Sequence, residues 1–365
     1  MKRFHVLGLA HTICTKEYST CAFTQKVYKF CQMAMKAGHE VILYGHPDDT
    51  APCTEHVICT STAVQEACYP GWDWHTQGFP VAHLPHDDAH RHFNEHAIRY
   101  IRERQQPGDF LICMFGYGQK VIGEQFLNDP RMIVTEPGIG YAGGYFTHHK
   151  AFESYALLHC YLGLDSVRQA NEFKWYDVVI PNYFDPADFE YREKKDDYLA
   201  FLGRLGPGKG QHIAEQLAAA TGHRLIVAGH HPYGEQKAAP GVEYIGPIGP
   251  AARKALLAGA RAVICASTFV EPFCGVQVEA LLSGTPVISS DFGAFAEVNI
   301  HGETGYRCRT FRDFREAVDA VDRGLISPRA CYERGMDYSM GNIWPMYEKF
   351  FDDAWNAKFG KGWYS

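Results

Sequence analysis

Residues 261–308 have the sequence RAVICASTFVEPFCGVQVEALLSGTPVISSDFGAFAEVNIHGETGYRC. Residues 262–266 form a short apolar run with β-branched members, which is typical of a buried parallel strand. Residues 275–283 have the composition of a helix that ends at Gly284, and residues 286–289 form a second apolar run. The order of strand, loop, helix and strand predicts one βαβ unit of an α/β fold.

Two acidic side chains flank the start of the predicted helix. Glu271 lies on the loop before it, and Glu279 lies about one helical turn, roughly 5 Å, beyond its first residues. Ligands bind at the carboxyl ends of strands in open α/β sheets, and backbone amides near Gly275 would face an anion there. This arrangement suits a nucleotide-sugar, which has hydroxyl groups on both sides of its phosphates. The alternative is a pair of solvated glutamates on the surface of a helix.

The same segment resembles the E-x7-E region of the retaining glycosyltransferases of family 4, which have the GT-B fold. The residues that match in order and spacing are Glu271-Pro272-Phe273, Glu279-Ala280, Ser283-Gly284-Thr285-Pro286-Val287-Ile288 and Gly302-Glu303-Thr304-Gly305. Cys274 departs from the family, which usually has glycine there. The resemblance implies an α/β chain of two Rossmann-like domains that face a cleft, with a last helix that crosses back to the first domain. It is specific only over residues 198–308.

A glycine-rich turn, GRLGPGKG at residues 203–210, follows a predicted strand. It nearly matches the phosphate-binding P-loop of ATPases and kinases, but Gly210 supplies no hydroxyl group for Mg²⁺. The family pattern, strand-G-R-L-x-x-x-K-G, fits better and implies that Arg204 and Lys209 hold the donor diphosphate. Two fixed cations can neutralise a leaving diphosphate without a metal ion. The alternative is a pair of surface cations beside a turn.

The resemblance implies a donor site in the second domain, with Glu271 on the sugar hydroxyls and Glu279 on the ribose. Family members hold the base largely through backbone contacts of the loop that follows residues 242–246. The expected donor-binding residues are Arg204, Lys209, Gly246, Ile248, Glu271, Phe273, Cys274, Gly275, Val276 and Glu279. Of these, Glu271, Arg204 and Lys209 are the expected catalytic residues. None of the candidates is identified as a covalent nucleophile.

The amino-terminal half is expected to bind the acceptor. Many GT-B first domains begin with a strand, a helix and a second strand. The sequence predicts the same order here, at residues 4–10, 22–36 and 40–45. Where the family usually has two glycines before the first helix, this chain has Ser19 and Thr20. Their hydroxyl groups and amides serve the acceptor in one interpretation, and the loop has another role in the other.

A second acceptor-side segment, residues 136–161, is rich in glycine and aromatic residues and is expected to line the cleft. The candidates here are Gly138, His148 and His149, and the two histidines are expected to precede a helix that carries Glu153 and Tyr155. The alternative is a packing loop in which the glycines serve only turns.

Six histidines lie within residues 75–96, which are part of a less regular region, 46–108. They are His75, His83, His86, His90, His92 and His96. The i, i+4 spacing of His92 and His96 on a helix permits a metal site. The alternative is a polar surface around the acceptor entrance, and the family resemblance implies that no metal is needed.

The length of 365 residues suggests two domains. We expect an acceptor-side domain over 1–183 together with an aromatic helix at 343–365, a charged linker over 184–197 and a donor domain over 198–342. The net charge of −7, from 35 basic and 42 acidic residues, argues against a general nucleic-acid binder. The 12 cysteines include no C-x-x-C pair, and no signal peptide or long apolar run is present, so we expect a cytoplasmic protein without a membrane span.

The sequence thus predicts a retaining, metal-independent glycosyltransferase. Its donor is expected to be a UDP- or GDP-sugar, with no further cofactor, and its acceptor is unspecified. Three other functions stay open: a non-catalytic protein that binds nucleotide-sugars or glycans, a DNA-modifying glucosyltransferase, and a nucleotide-sugar epimerase of the same fold. The acidic balance of the chain weakens the second, and the E-x7-E loop disfavours the third.

Overall fold

A computed structural model describes residues 1–74, 84, 86–141, 143–169, 176–230, 239–360 and 362. The chain divides into two compact units. The first comprises Met1–Glu153, Leu164–Ile180 and Ile343–Ser365, and the second comprises Ser154–Gly163 and Pro181–Asn342. The second unit therefore includes residues 154–163, which fall in the range expected for the first domain.

The first unit is built on a parallel sheet with the strand order β3-β2-β1-β4-β5-β6-β7. Its strands are β1 (Arg3–Leu7), β2 (Glu40–Gly45), β3 (Glu55–Ile58), β4 (Asp109–Ile112), β5 (Met132–Ile139), β6 (His149–Phe152) and β7 (Val178–Val179). Its helices are α1 (Ala22–Lys36), α2 (Thr62–Cys68), α3 (Asp88–Arg104), α4 (Tyr117–Glu124) and α5 (Tyr155–Arg168), the last of which begins in the second unit. The apolar strands are buried, as in parallel sheets that helices cover on both faces.

The second unit is built on a parallel sheet with the strand order β10-β9-β8-β11-β12-β13. Its strands are β8 (Tyr198–Leu202), β9 (Arg224–Ala228), β10 (Val242–Gly246), β11 (Ala262–Cys265), β12 (Val287–Ser290) and β13 (Gly305–Cys308). Its helices are α6 (Gln211–Thr221), α7 (Pro250–Gly259), α8 (Gly275–Leu282), α9 (Phe295–Val298), α10 (Phe311–Asp322), α11 (Pro328–Met336) and the first residues of α12 (Met340–Phe359), which continues in the first unit from Ile343. Two parallel, Rossmann-like sheets confirm the predicted α/β fold class.

The strand order of the second sheet reverses between β8 and β11. From β8 the chain moves outward to β9 and β10, and it then returns to place β11 on the other side of β8. Open α/β sheets bind ligands at such a switch point, beyond the carboxyl ends of the strands. The predicted βαβ unit is confirmed, because β11 and β12 pair in parallel with Val263 opposite Val287. The glycine-rich turn and the Glu271 loop are therefore the two loops that leave the switch point.

The segment expected to be a linker, residues 184–197, packs as part of the second unit. Phe184 is buried with its ring 6.4 Å from that of Phe273. The Lys195 ammonium group donates to the carbonyls of Ala258 and Ser283 and to the Thr285 hydroxyl at 2.7–3.0 Å. Burial lowers the pKa of Lys195 to about 8. Residues 184–197 were expected to be a linker because they are charged. The sequence does not reveal the oxygen atoms that accept hydrogen bonds from Lys195.

The aromatic carboxyl-terminal helix, α12, belongs to the first unit from Ile343 onward. Phe351 is fully buried, and its ring centroid lies 4.8 Å from that of Phe4, 6.0 Å from that of Phe30 and 5.1 Å from that of Phe110. The Tyr347 hydroxyl donates to the Pro137 carbonyl at 2.5 Å. The aromatic residues of this helix therefore complete the core of the first unit.

Residues 46–108, expected to be less regular, contain β3, α2 and α3. The third helix buries Phe93, Ala97 and Ile101, which are spaced four residues apart. Asp87 caps it by accepting a hydrogen bond from the His90 amide at 2.9 Å. The helix expected at His92 and His96 is therefore present, and it extends over Asp88–Arg104.

Candidate functional site

The glycine-rich turn leaves β8 and packs directly against the end of β11. Gly210 has a φ of +75°, and a Cβ atom there would lie 2.0 Å from the Ala266 carbonyl oxygen. The Thr268 amide donates to the Gly208 carbonyl at 2.9 Å, which joins the turn to the Glu271 loop. A Ser or Thr at position 210, which a P-loop requires, has no room in this packing.

Lys209 and Glu271 form an ion pair across these two loops. The Lys209 Nζ lies 2.6 Å from Glu271 Oε1, and the Ser267 hydroxyl donates to the same oxygen at 2.5 Å. Glu271 is 4% exposed, whereas the Lys209 side chain is 27% exposed and lies 5.2 Å from the centre of the Phe269 ring. Within the described part of the chain both contacts use Oε1, so Oε2 is available to a ligand.

Arg204 lies on the same turn, and its side chain is exposed. It makes no hydrogen bond or ion pair with any described residue. The two cations of the turn therefore differ, since one is paired with a carboxylate and the other is extended into solvent.

The start of α8 has an unusual backbone. Cys274 has a φ of +62°, in the left-handed region that glycine occupies readily, and this conformation costs other residues about 1–2 kcal/mol. A side chain at Gly275 would lie 3.2 Å from the Phe184 ring. A hydrogen bond with Cys274, together with burial, raises the pKa of the Cys265 thiol well above its usual value. Cys274 thus adopts the left-handed backbone conformation that glycine, the usual residue of the family at this position, adopts without strain.

Glu279 lies one turn into α8, and its carboxylate is held from α7. Arg253 Nη1 donates to Glu279 Oε1 at 3.2 Å. A Cβ atom on Gly275, the first helical residue, would lie 3.9 Å from the same oxygen, so the carboxylate lies at the helix start. Sequence reasoning missed Arg253, because its contact joins two helices, α7 and α8, whose relative register a sequence does not state.

The other expected donor-binding residues support the backbone around the site. Phe273 is buried and packs on Phe184 and Tyr338, and Val276 and Ile248 pack against the same core. Gly246 has a φ of +70°, and its carbonyl accepts from the Gly229 amide at 2.9 Å. These residues would therefore meet a ligand mainly through main-chain atoms.

The acceptor-side candidates all lie in or beside the first sheet. Ser19 and Thr20 lie in the loop before α1, half-buried and exposed respectively. Gly138 lies on β5, and its carbonyl accepts from Lys26 Nζ at 3.0 Å. The helix predicted to follow the two histidines is present and includes Tyr155, but strand β6, which begins at His149, precedes it. The helix begins only at Tyr155, and Glu153 precedes it, because residues 149–152 extend the buried sheet.

The first unit also contains buried ionic contacts that sequence reasoning missed. Lys26 and Glu153 lie 2.6 Å apart, and each side chain is only 6% exposed. Lys150 and Asp177 pair at 3.2 Å and are also buried. The partners come from distant parts of the chain, which is why no motif revealed them.

The histidines of the first unit differ in their exposure and in their contacts. His148 is exposed, whereas the His149 ring lies 4.8 Å from that of Tyr176, and burial lowers its pKa to about 4. His92 and His96 stack at 4.1 Å on α3, and the Nδ1 atom of each faces a backbone carbonyl. His75 and His83 lie outside the described residues. The described residues contain no group of three or more side chains placed to hold a metal ion.

All 12 cysteines are free thiols. Over the described ranges, none of the helices combines the length and the apolar character that crossing a membrane requires.

Comparisons with known proteins agree with this architecture. Residues 185–335 match the family described as glycosyl transferases group 1. A glycogen synthase of Mycobacterium tuberculosis is 29% identical over 176 residues, which cover 43% of this chain and 42% of that enzyme. A phosphatidyl-myo-inositol mannosyltransferase of the same species is 28% identical over 146 residues, 35% of this chain and 39% of the relative. In these alignments the chain spans less than half the length of either relative.

Two solved structures resemble the whole chain. The glycosyltransferase AviGT4, involved in avilamycin A biosynthesis, superposes with a TM-score of 0.70 at 20% identity, covering 97% of this chain and 98% of that one. The Anabaena protein HepE in complex with UDP and glucose superposes with a TM-score of 0.67 at 14% identity, covering 97% and 100%. The chain therefore has the GT-B fold throughout, and its residues 185–335 are similar to the family described as glycosyl transferases group 1.

Proposed function

We propose that this protein transfers a sugar from a nucleotide-sugar to an acceptor and retains the configuration of the anomeric carbon. The observation that carries the proposal is the Lys209–Glu271 pair. It joins the two loops that leave the switch point of the second sheet, beside the start of α8 and inside the family match. A cation and a carboxylate at this point suit a ligand in which a diphosphate adjoins a polyhydroxylated ring.

The two cations of the glycine-rich turn stabilise the leaving diphosphate. Arg204 is free to reach a ligand, and Lys209 needs only to share its charge between Glu271 and a phosphate oxygen. Negative charge on the diphosphate grows as the glycosidic bond breaks, so these contacts strengthen in the transition state. The reaction then needs no metal ion, and Oε2 of Glu271 accepts a hydrogen bond from a sugar hydroxyl.

In the reaction, the bond from the anomeric carbon to the diphosphate oxygen breaks, and the acceptor oxygen forms a bond to the same face of that carbon. The acceptor hydroxyl loses its proton to an oxygen of the leaving phosphate. This scheme requires no protein nucleophile, in keeping with the family resemblance.

Relatives support the choice of substrate class. HepE is described with UDP and glucose, and other structures of it hold UDP-glucose. A UDP-sugar is therefore the first donor to test, and a GDP-sugar is the second. We assign donor binding to residues 198–342. Acceptor binding falls to the first domain, with Ser19, Thr20, Gly138, His148 and His149 as candidates.

The proposal is tested by melting the protein with UDP, GDP, UDP-glucose and GDP-mannose, each with EDTA and with Mg²⁺. A ligand that binds only the native state at 100 times its Kd stabilises it by about 2.7 kcal/mol. We expect one diphosphate and its sugar to raise the melting temperature in EDTA, followed by slow release of sugar without acceptor. The sugar should appear first as the anomer present in the donor when followed by NMR. Absence of any shift, or inversion at the anomeric carbon, would contradict the proposal.

A further inference from the structure

The Arg253–Glu279 pair is incomplete on both sides. Glu279 is 8% exposed, and its Oε2 atom has no hydrogen-bond partner among the described residues. Arg253 Nε is also shielded from solvent and without a partner in the same part of the chain. The contact thus leaves one buried acceptor atom, Oε2, and one buried donor atom, Nε, without a partner among the described residues.

Unused polar atoms of this kind destabilise the free protein. A buried donor or acceptor without a partner typically costs about 1–3 kcal/mol, and more when it belongs to a charged group. A structural ion pair would be expected to use both prongs of the guanidinium group, since bidentate geometry is the favourable one. Here the contact uses Nη1 alone, at 3.2 Å, so Oε2 and Nε keep the capacity to bond to a third group.

The position of the carboxylate indicates what that group is. Glu279 Oε1 lies at the first residue of α8, where the helix start favours negative charge such as a phosphate. A hydroxyl-bearing group adjoining that phosphate would meet Oε2 and Nε together. A hydroxyl can donate to the first and accept from the second, and a diol can do so with two oxygens.

We infer that Arg253 is a positioning residue: it orients Glu279, the carboxylate that the family resemblance assigns to the ribose, and so determines how strongly the site distinguishes a ribose from a 2′-deoxyribose. This inference rests on the proposed function. The arginine fixes the direction of the carboxylate from a different helix, α7. A site built to bind a hydroxyl rejects the analogue that lacks it, because its own polar groups are then left unpaired.

The experiment compares UDP with 2′-deoxy-UDP, and GDP with 2′-deoxy-GDP, by calorimetric titration of the full chain. The wild-type protein should prefer the ribose form of its nucleotide by roughly tenfold or more. Arg253→Met should reduce this preference to about threefold or less, and Arg253→Lys should restore part of it. Lys254→Met is the matched control and should keep the preference. Lys254 neighbours Arg253, but among the described residues its side chain donates only to the Ala187 carbonyl.

The ratio of the two affinities separates positioning from a merely structural role, because a general loss of folding or affinity moves both nucleotides alike. If Arg253→Met does not fold, Arg253→Gln supplies the same test, since it keeps an amide donor and loses the charge. Two results overturn the inference alone. One is a wild-type protein that binds the ribose and 2′-deoxyribose forms equally, and the other is a folded Arg253 variant whose ratio of these two affinities is unchanged. A wild-type protein that binds none of the four nucleotides overturns the proposed function as well.

Discussion

Each unit contains a lysine–glutamate pair at 2.6 Å, and the two pairs have different surroundings. Lys26 and Glu153 in the first unit are each 6% exposed, and the lysine also donates to the Gly138 carbonyl. In the second unit Lys209 is 27% exposed, and one oxygen of Glu271 is available to a ligand. Equal distances therefore do not indicate equal roles.

The difference follows from solvation. Removing one partner of a buried pair leaves an uncompensated charge in a medium that solvates it poorly, so such pairs tie elements together. A half-exposed cation can be solvated by water or by an incoming anion, so its contribution to folding is small and its contribution to ligand binding can be large. The first pair fastens α1 to the end of β6, and the second is poised for a phosphate.

The largest effect is expected when each lysine is removed and the free energy of unfolding is measured by urea denaturation, which tests whether the two pairs differ. Lys26→Met should lower the free energy of unfolding by about 3–5 kcal/mol, because Glu153 is then buried without its partner. Lys209→Met should lower it by less, because the lysine is partly solvated and the Ser267 hydroxyl still donates to Glu271 in the variant. The double variant Lys26→Met/Glu153→Met should recover part of the loss. Equal losses in the two single variants would show that the pairs do not differ as their surroundings indicate.

The second prediction concerns turnover, for which the residues of the glycine-rich turn should matter more than they do for stability. Lys209→Ala and Arg204→Ala should each lower kcat by about 10²–10³, the usual cost of losing one group that stabilises developing negative charge. Ground-state donor affinity should fall by much less. Activity should persist in EDTA, and ATP hydrolysis should be absent. Wild-type turnover in both variants, or strict dependence on Mg²⁺ and ATP, would remove the diphosphate role from the turn.

A third prediction concerns His149 in the first unit. Burial lowers its pKa to about 4 from 6.5, so the folded chain disfavours the proton that the unfolded chain accepts. Stability should therefore fall as the pH drops from about 6.5 to 4, by up to about 3 kcal/mol. His149→Phe should abolish this part of the pH dependence, and His148→Ala, at the exposed neighbour, should retain it. Parallel pH profiles for wild type and His149→Phe would contradict the burial argument.

The smallest expected effect lies at the start of α8. Replacing Cys274 by glycine should give a protein about 1 kcal/mol more stable than replacing it by alanine, because only glycine adopts a φ of +62° without strain. Within a helix the order of these two residues is the reverse. Both variants remove the thiol contact with Cys265, so the comparison isolates the backbone. If the alanine variant is the more stable, the left-handed conformation is wrong.

The sequence predicted the second unit better than the first for a physical reason. The strand, loop and helix of residues 262–282 are contiguous, and their turns need particular residues such as Gly210 and Gly284, so a linear pattern contains the geometry. The Arg253–Glu279 contact escaped because it joins two helices whose register a sequence does not state.

In the first unit the polar contacts are long-range. Tyr347 reaches Pro137 and Lys26 reaches Glu153 only after the sheet has formed, and these pairs have no local signature. Glu153 lies outside the helix predicted to carry it for a related reason. Residues 149–152 show little alternation of polar and apolar side chains, and they include Lys150. They nevertheless form a buried strand, because Asp177 forms an ion pair with Lys150.

The most direct test of the account is to titrate Glu271→Ala and Glu279→Ala with the free nucleoside diphosphate and with the nucleotide-sugar that binds the wild-type protein. If Glu279 holds the ribose, its variant should lose roughly tenfold or more in affinity for both ligands, as expected for a lost hydrogen bond to a charged group. If Glu271 holds the sugar, its variant should bind the free diphosphate nearly as the wild type does and lose affinity or turnover only with the sugar attached. Equal losses for both ligands in both variants would contradict the division of the site between the two carboxylates.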